Sequence, residues 1–308
     1  MGARDEDGTR EPAPSGPMLV HEQERSVRLR IDDVELFRYV YRPWDAQRES
    51  PRPYLHPVRT LGGDVVSLFR PHDHVWHKGI AWSLSNVGTQ NFWGGRTFTP
   101  DRGYVQLDDN GTVRHDGFDE LGVRDGVARL DERLSWLAAD GERMLTERRL
   151  ITATVVEGAW RLGFTTTMTN VGPDTVPFGS PTTKGRDNAG YSGLFWRGPR
   201  SFSDGGRVLM PGVVGADELM GARGPWLAYV GRHDGHGRSS TLLFRDDPGN
   251  PTHPTRWFVR TGQFAGVCPA PFFDTEYELP AGGSLTLRYD VWIADGALDE
   301  AACRHLVS

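Results

Sequence analysis

Three of the chain's ten histidines, His72, His74 and His77, fall within "RPHDHVWHKG", residues 70–79. Imidazole is the side chain whose unperturbed pKa, about 6.5, lets it give and take protons near neutrality. Asp73, beside His74, can orient a ring, and Trp76, Trp82 and Trp93 flank the group. A single histidine on a surface turn is ordinarily a polar loop residue. Three among so much indole favour a ligand-facing site, because contiguous exposed apolar surface marks binding.

Upstream, "RPYLHPVRT" places His56 one strand away, since "GGDVVSLF" can pair back after Gly62-Gly63. His56, His74 and His77 are then expected to converge, with general acid/base chemistry as the first reading. Three rings of this kind also make a ligand set for zinc, iron or copper, although their spacing matches no recognised metal fingerprint. No cofactor is expected, and a divalent metal at His56, His74 and His77 is the alternative.

Two later stretches are candidates for the same site. "SPTTKGRDNAGYSGLFWRGP", residues 180–199, sets Lys184, Arg186, Asp187 and Asn188 among glycines that let a backbone pass close to a ligand. It lacks the sequence of a phosphate loop, and a Gly-rich connection with Trp196 in the core reads it equally well. "NPTHPTRWFVRTGQF" adds His253, held between prolines, together with Trp257 and Arg260.

Carboxylates are harder to place. Glu132 and Glu147 fall on apolar strand faces, where an unpaired charge is costly. Pairing of Glu147 with Arg149 is the plain reading, and reaching the histidines is the functional one. No GxSxG elbow, HExxH or Walker sequence occurs.

The elements that must position these residues are strands. "RLDERLSWLAADGERMLTERRLITATVVEGAWRLGFTTTMTNVG" alternates apolar and polar residues in three runs broken at "ADGE" and "VEGA", the pattern of an antiparallel meander. Leu130, Leu134, Trp136 and Ala138 share one face, as do Leu145, Ile151, Ala153 and Val155, and Trp160, Leu162, Phe164 and Met168. The opposite face is polar enough to meet solvent or a ligand. "SVRLRIDDVELFRYVY" breaks at Asp32-Asp33 like a hairpin, and Asn110-Gly111 has the chemistry of a type I′ turn. "LDEAACRHLV" is the best helical candidate. The 38 glycines and 21 prolines punctuate many short elements, so a large all-β antiparallel sandwich is expected.

The bulk numbers narrow the partners. A net charge of -6 with interspersed signs gives no basic stripe for nucleic acid, and no apolar run approaches a membrane span. Cys268 and Cys303 belong to no metal or redox spacing, which fits a cytoplasmic setting. Lysine occurs only at positions 78 and 184, and arginine supplies the rest of the 35 basic residues. Residues 1–17 are expected to be a disordered tail, and residues 18–308 one domain.

"PYLHPV", "DHVWHKG", "NFWGG", "GRDNAGYSGLFWRGP", "HPTRWFVR" and "LTLRYDVWIADG", in that order, resemble the DUF6807 family over roughly residues 50–296. Its members are often labelled "methane oxygenase PmoA", a multi-span membrane protein that a chain without a spanning segment does not match. The resemblance implies a supersandwich similar to galactose mutarotase, a fold whose members mostly act on sugars through histidines and a carboxylate on a concave sheet. The family's DHxxHxG block falls on Asp73, His74, His77 and Gly79, His56 on its first HP, and His253 on its fifth block. Many relatives carry an adjacent His-His pair, where this chain has Trp76 before His77.

The resulting expectation is a carbohydrate-active enzyme, an epimerase, lyase or hydrolase, with a cleft on the polar face of the sandwich. His74, His77 and His56 are the expected catalytic residues. Asp73 orients, Lys78, Arg186 and Asn188 hold oxygens, Trp93 and Trp196 stack on a sugar face, and His253 stands nearby. A noncatalytic carbohydrate-binding protein and a three-histidine metalloenzyme are the alternatives. A sugar or glycoside is the expected partner, and oligomeric state is left open.

Overall fold

The computed structural model describes residues 16–308, so residues 1–15 of the expected tail lie outside the described residues. Two antiparallel sheets pack face to face. One runs, in spatial order, Met18–Glu22, Ser26–Ile31, Val34–Val40, Tyr54–Val58, Ile80–Ser83, Gly193–Arg197, Gly266–Ala270 and Arg256–Arg260. The other has nine strands, with the long meander Thr112–Arg124, Val127–Leu137, Arg143–Val156 and Ala159–Asn170 at one end, continued through Ser284–Asp295 and Ser239–Asp246.

Alternation decides what each strand buries. Leu130, Trp136, Ile151, Trp160, Leu162 and Phe164 of the meander meet Val27, Phe37, Leu55, Ile80, Trp82 and Trp196 of the eight-stranded sheet in one apolar core. Fully burying side chains of this size is worth roughly 1.5–3 kcal/mol each. Val155, expected inside with Ala153, is exposed, two residues before the turn that leads into Ala159–Asn170.

Glu132 and Glu147 do point into this core, and a polar network satisfies both. Glu147 takes Arg149 through two hydrogen bonds of 2.8 and 2.9 Å, the Trp136 indole at 2.7 Å and the Thr166 hydroxyl at 2.9 Å. Glu132 accepts from the Tyr39 hydroxyl and bonds His115 Nδ1 at 2.6 Å.

The polar face of the meander, expected to meet solvent or a ligand, is laced with its own pairs. Its groups answer one another: Arg148 pairs with Asp131 at 2.7 and 2.9 Å, Arg133 with Asp119 at 2.8 Å, and Thr167 bonds Thr286 at 2.9 Å. Nearby, the helix Glu300–Val307 covers Trp226, Leu243 and Trp292 with Cys303, and its Asp299 cap accepts from the Ala302 amide at 2.9 Å. No helix among the described residues is long and apolar enough to cross a membrane.

The expected hairpin at Asp32-Asp33 forms, with Ser26–Ile31 paired to Val34–Val40. Asn110-Gly111 instead leads into the meander without closing a hairpin. Asn110 is buried, and a Cβ on Gly111 would stand 2.3 Å from the Phe92 ring. Close packing, and not turn chemistry, explains that glycine.

Candidate active site

The cleft lies on the outer face of the eight-stranded sheet. There Phe195 and Phe258 project away from the core, and the loops around residues 70–78, 91–106 and 181–191 build walls over them. The hollow encloses about 780 Å³, within the usual range for small-molecule sites.

The first wall is a looped-out hairpin. Phe69 bridges to Lys78, the Arg70 amide donates to the His77 carbonyl at 2.9 Å, and the Gly79 amide to the Leu68 carbonyl at 2.9 Å. Gly79 is required: its φ is +61°, and a Cβ would stand 2.1 Å from the Leu55 carbonyl oxygen. Inside the loop the His74 amide donates to Pro71 and the His77 amide to His74, each at 2.9 Å. Two successive turns of this kind bring residues three apart to one side. The His74 and His77 rings accordingly stack, with centroids 4.8 Å apart and an interplanar angle of 29°.

Their hydrogen bonds give the two rings opposite roles. His74 Nδ1 lies 2.9 Å from the Asp73 carboxylate, which only accepts, so Nδ1 carries the proton and neutral His74 offers a lone pair at Nε2. His77 Nδ1 lies 3.2 Å from Arg197 Nη1, which only donates, so Nδ1 accepts and Nε2 bears the hydrogen. Burial, followed by the charge His74 carries when protonated and by Arg197 and Arg52, holds the His77 pKa well below that of free imidazole. Burial pushes Asp73 upward, but the hydrogen bonds from His74, the backbone and Arg200 outweigh it and hold the carboxyl below its usual range. Arg200 donates to Asp73 at 2.9 Å and reaches His72 Nδ1 at 3.1 Å on the rim.

Aromatic rings line the rest. Trp93 packs 4.7 Å from Phe195 and 4.6 Å from Tyr191, and His77 sits 4.7 Å from Phe195 and 5.4 Å from Phe264. Asn91 Oδ1 accepts from the Trp93 and Gly94 amides, both at 2.9 Å, and fixes that corner. A Cβ on Gly95 would stand 2.8 Å from the Trp76 ring, so the "WGG" turn lies flat against Trp76. Opposite, Arg186 donates to the Tyr104 hydroxyl, which bonds Tyr191 Oη at 2.7 Å.

Of the expected site residues, His74, His77, Asp73, Trp93 and Arg186 line the cleft, and five others do not. His56 turns away, shares a hydrogen bond of 2.9 Å with Ser67 and stacks on Phe69. Burial and then Arg59 lower its pKa to about 4. Lys78 is 1% exposed, bonded to Glu49 and 3.0 Å from Asp45. Chain alternation sends it to the side opposite His77, where it locks the loop and holds no substrate oxygen. Trp196 alternates with Phe195 and points into the core, its indole donating to the Val66 carbonyl at 2.7 Å. Asn188 is exposed on a turn with φ 52°, and His253 bonds Asp246 at 2.8 Å, both outside the lining. The three histidines named for the metal alternative do not come together, because His56 faces elsewhere, and no group of three His, Cys, Asp or Glu is placed to hold an ion among the described residues.

Sequence reasoning passed over Arg197, Arg52 and Arg200. Strand alternation exposes the first, since Phe195 and Arg197 share the face that Trp196 leaves. Arg52 is 1% exposed and donates to the Glu49, Ser50 and Trp76 carbonyls and to Ser83 Oγ at 2.7–3.0 Å. It joins segments distant in sequence, and nothing in its local pattern announces it.

Residues 26–308 match the sequence model of DUF6807, a family of unknown function. The chain belongs to this family. No curated protein matches the sequence. Among solved structures, this DUF6807 chain is similar to the GH36 α-galactosidase AgaB from Geobacillus stearothermophilus, with 12% identity and a TM-score of 0.43 over 91% of this chain and 41% of that one. The α-galactosidase from Lactobacillus brevis gives 8% identity and 0.41, over 91% and 40%. A structure titled as a polysaccharide lyase gives 11% identity and 0.37, over 97% and 35%. The DUF6807 chain thus spans about two fifths of the length of these galactosidases.

Proposed function

We propose that this DUF6807 protein is an enzyme acting on a sugar or similarly polyhydroxylated compound by histidine general acid/base chemistry. The observation that carries the reading is the stacked pair His74 and His77, locked in opposite tautomers inside an aromatic-walled cleft.

His74 Nε2 is the base: it removes a proton from substrate, and the Asp73 carboxylate, itself held by Arg200, stabilises the imidazolium that forms. His77 stays neutral and donates its Nε2 hydrogen to the oxygen on which negative charge builds. Neutral imidazole in that role avoids placing a second cation beside His74. Trp76, Trp93 and Tyr191 offer flat apolar surface to a ring's C–H face, while Gln106, Gln263 and Asn86 supply amides for hydroxyls. Epimerisation, elimination and hydrolysis share this proton transfer. A cytoplasmic setting belongs to the same proposal, with Cys268 and Cys303 as buried free thiols.

The test is turnover of a panel of sugars and glycosides by the full chain and by His74→Gln and His77→Gln, alongside calorimetric binding. Turnover falling at least about a hundredfold in both variants, with ligand still bound, supports the reading. Saturable binding by the unaltered chain with no turnover across the panel makes the protein a carbohydrate-binding module instead.

A further inference from the structure

Elsewhere on the molecule arginines meet carboxylates: Arg70 pairs with Glu49, Arg238 with Asp64, Arg245 with Asp290 and Arg256 with Asp274. The cleft departs from this. Arg48, Arg96, Arg186 and Arg260 line it, and none of them forms an ion pair among the described residues. Arg186 bonds Tyr104, and Arg260 lies over the Phe258 ring at 5.6 Å. Arg48 and Arg96 make no side-chain hydrogen bond within the described chain.

Behind them Arg197 is 1% exposed, and its Nε has no partner. Asp73 is the only carboxylate on the wall among the described residues, and Arg200 and His74 already occupy it. A positive hollow has therefore formed in a chain whose net charge is -6. Walls of low dielectric concentrate such a field, and the guanidinium fork matches the two oxygens of a carboxylate or phosphate.

We propose that the cleft selects a polyhydroxylated ligand bearing an oxyanion, with Arg48, Arg96, Arg186 and Arg260 as its counter-charges. The inference rests on the acid/base reading only in sharing its cleft, and it names the substrate class of that site. An acidic sugar and a sugar phosphate carry the same recognised chemistry.

Calorimetry on the full chain at low ionic strength tests it, with digalacturonate, its dimethyl ester, galactose 6-phosphate and galactose as probes. Each anion is expected to bind at least about tenfold tighter than its neutral counterpart, with the preference shrinking in about 0.5 M salt. The tighter of the two anions identifies the source of the charge. Arg260→Gln is expected to remove most of the preference. Arg48→Gln, an exposed position with no side-chain partner to lose, is expected to cut it about threefold. Both anions binding no tighter than their neutral counterparts, or binding by neither anion, overturns the inference. Because binding is read without turnover, equal affinities beside an inactive His74→Gln would remove the anion and leave the acid/base chemistry. A strong anion preference beside a fully active His74→Gln would do the reverse.

Discussion

Among the described residues three histidines hold a carboxylate through Nδ1, and of these only His74 lines the cleft. His74 bonds Asp73 at the mouth of the cleft, and its Nε2 has no partner among the described residues. His253 bonds Asp246, which also takes the Asn250 amide at 2.7 Å and the Thr255 amide at 2.9 Å, so that its carboxylate is consumed in tying a loop to the nine-stranded sheet. His115 bonds Glu132, whose other oxygen is held by Tyr39 in the core. The pairing is chemically the same in each case. What separates His74 from the other two is its place: His253 also keeps Nε2 without a partner among the described residues, but only His74 lines the cleft.

The contrast breaks most sharply at the buried end. Glu147→Ala removes the carboxylate that pairs directly with the buried Arg149 guanidinium and should cost about 3–5 kcal/mol in denaturant unfolding. A loss below about 1 kcal/mol would mean that the core network is not the clamp described. His74→Gln should do the opposite, leaving the unfolding midpoint in place while turnover drops at least about a hundredfold, roughly 2.7 kcal/mol of barrier. A change in stability of similar size would place His74 among the clamps.

Asp246→Ala strips the partner from two donors and from His253, and is expected to cost about 1–3 kcal/mol with the turnover number unchanged. Any large rate effect would bring His253 back as a site residue. The smallest expected effect concerns pH. The folded chain holds His56 near pKa 4, whereas the unfolded chain has it near 6.5. The unfolded state therefore binds protons that the folded state refuses as pH falls from about 6.5 to 4. Stability supplied by neutral His56 is whole above that window and lost through it, on the order of 1 kcal/mol after allowing for partial exposure. His56→Leu should flatten the fall in melting temperature over this range without altering the rate. Nitrogen NMR of His77 should show the neutral Nε2–H tautomer from pH 8 down to 5, and titration within that range would remove its role as a neutral donor.

Much of the architecture was legible in the alternation of residues. The apolar faces of Leu130 to Trp136 and Trp160 to Met168 became the core, and the helix appeared at the C-terminus. The crowding of His74 and His77 on one loop was legible too, and that loop does form a wall of the cleft. What misled was distance along the chain. His56 lies on a neighbouring strand and carries the right chemistry, yet Phe69 and Ser67 claim it. Lys78 follows His77 directly and points the other way, because successive residues of an extended chain face opposite sides.

The sequence alone determined that the chain would form strands, which faces would be apolar, and which loop held its imidazoles, since these depend on periodicity and local composition. Only the tertiary structure decided which sheet carries the cleft, which tautomer each histidine adopts and which arginines stand without a carboxylate. Each of those depends on partners brought together from remote segments, such as Arg197 against His77 across 120 positions, and no local pattern encodes such a meeting.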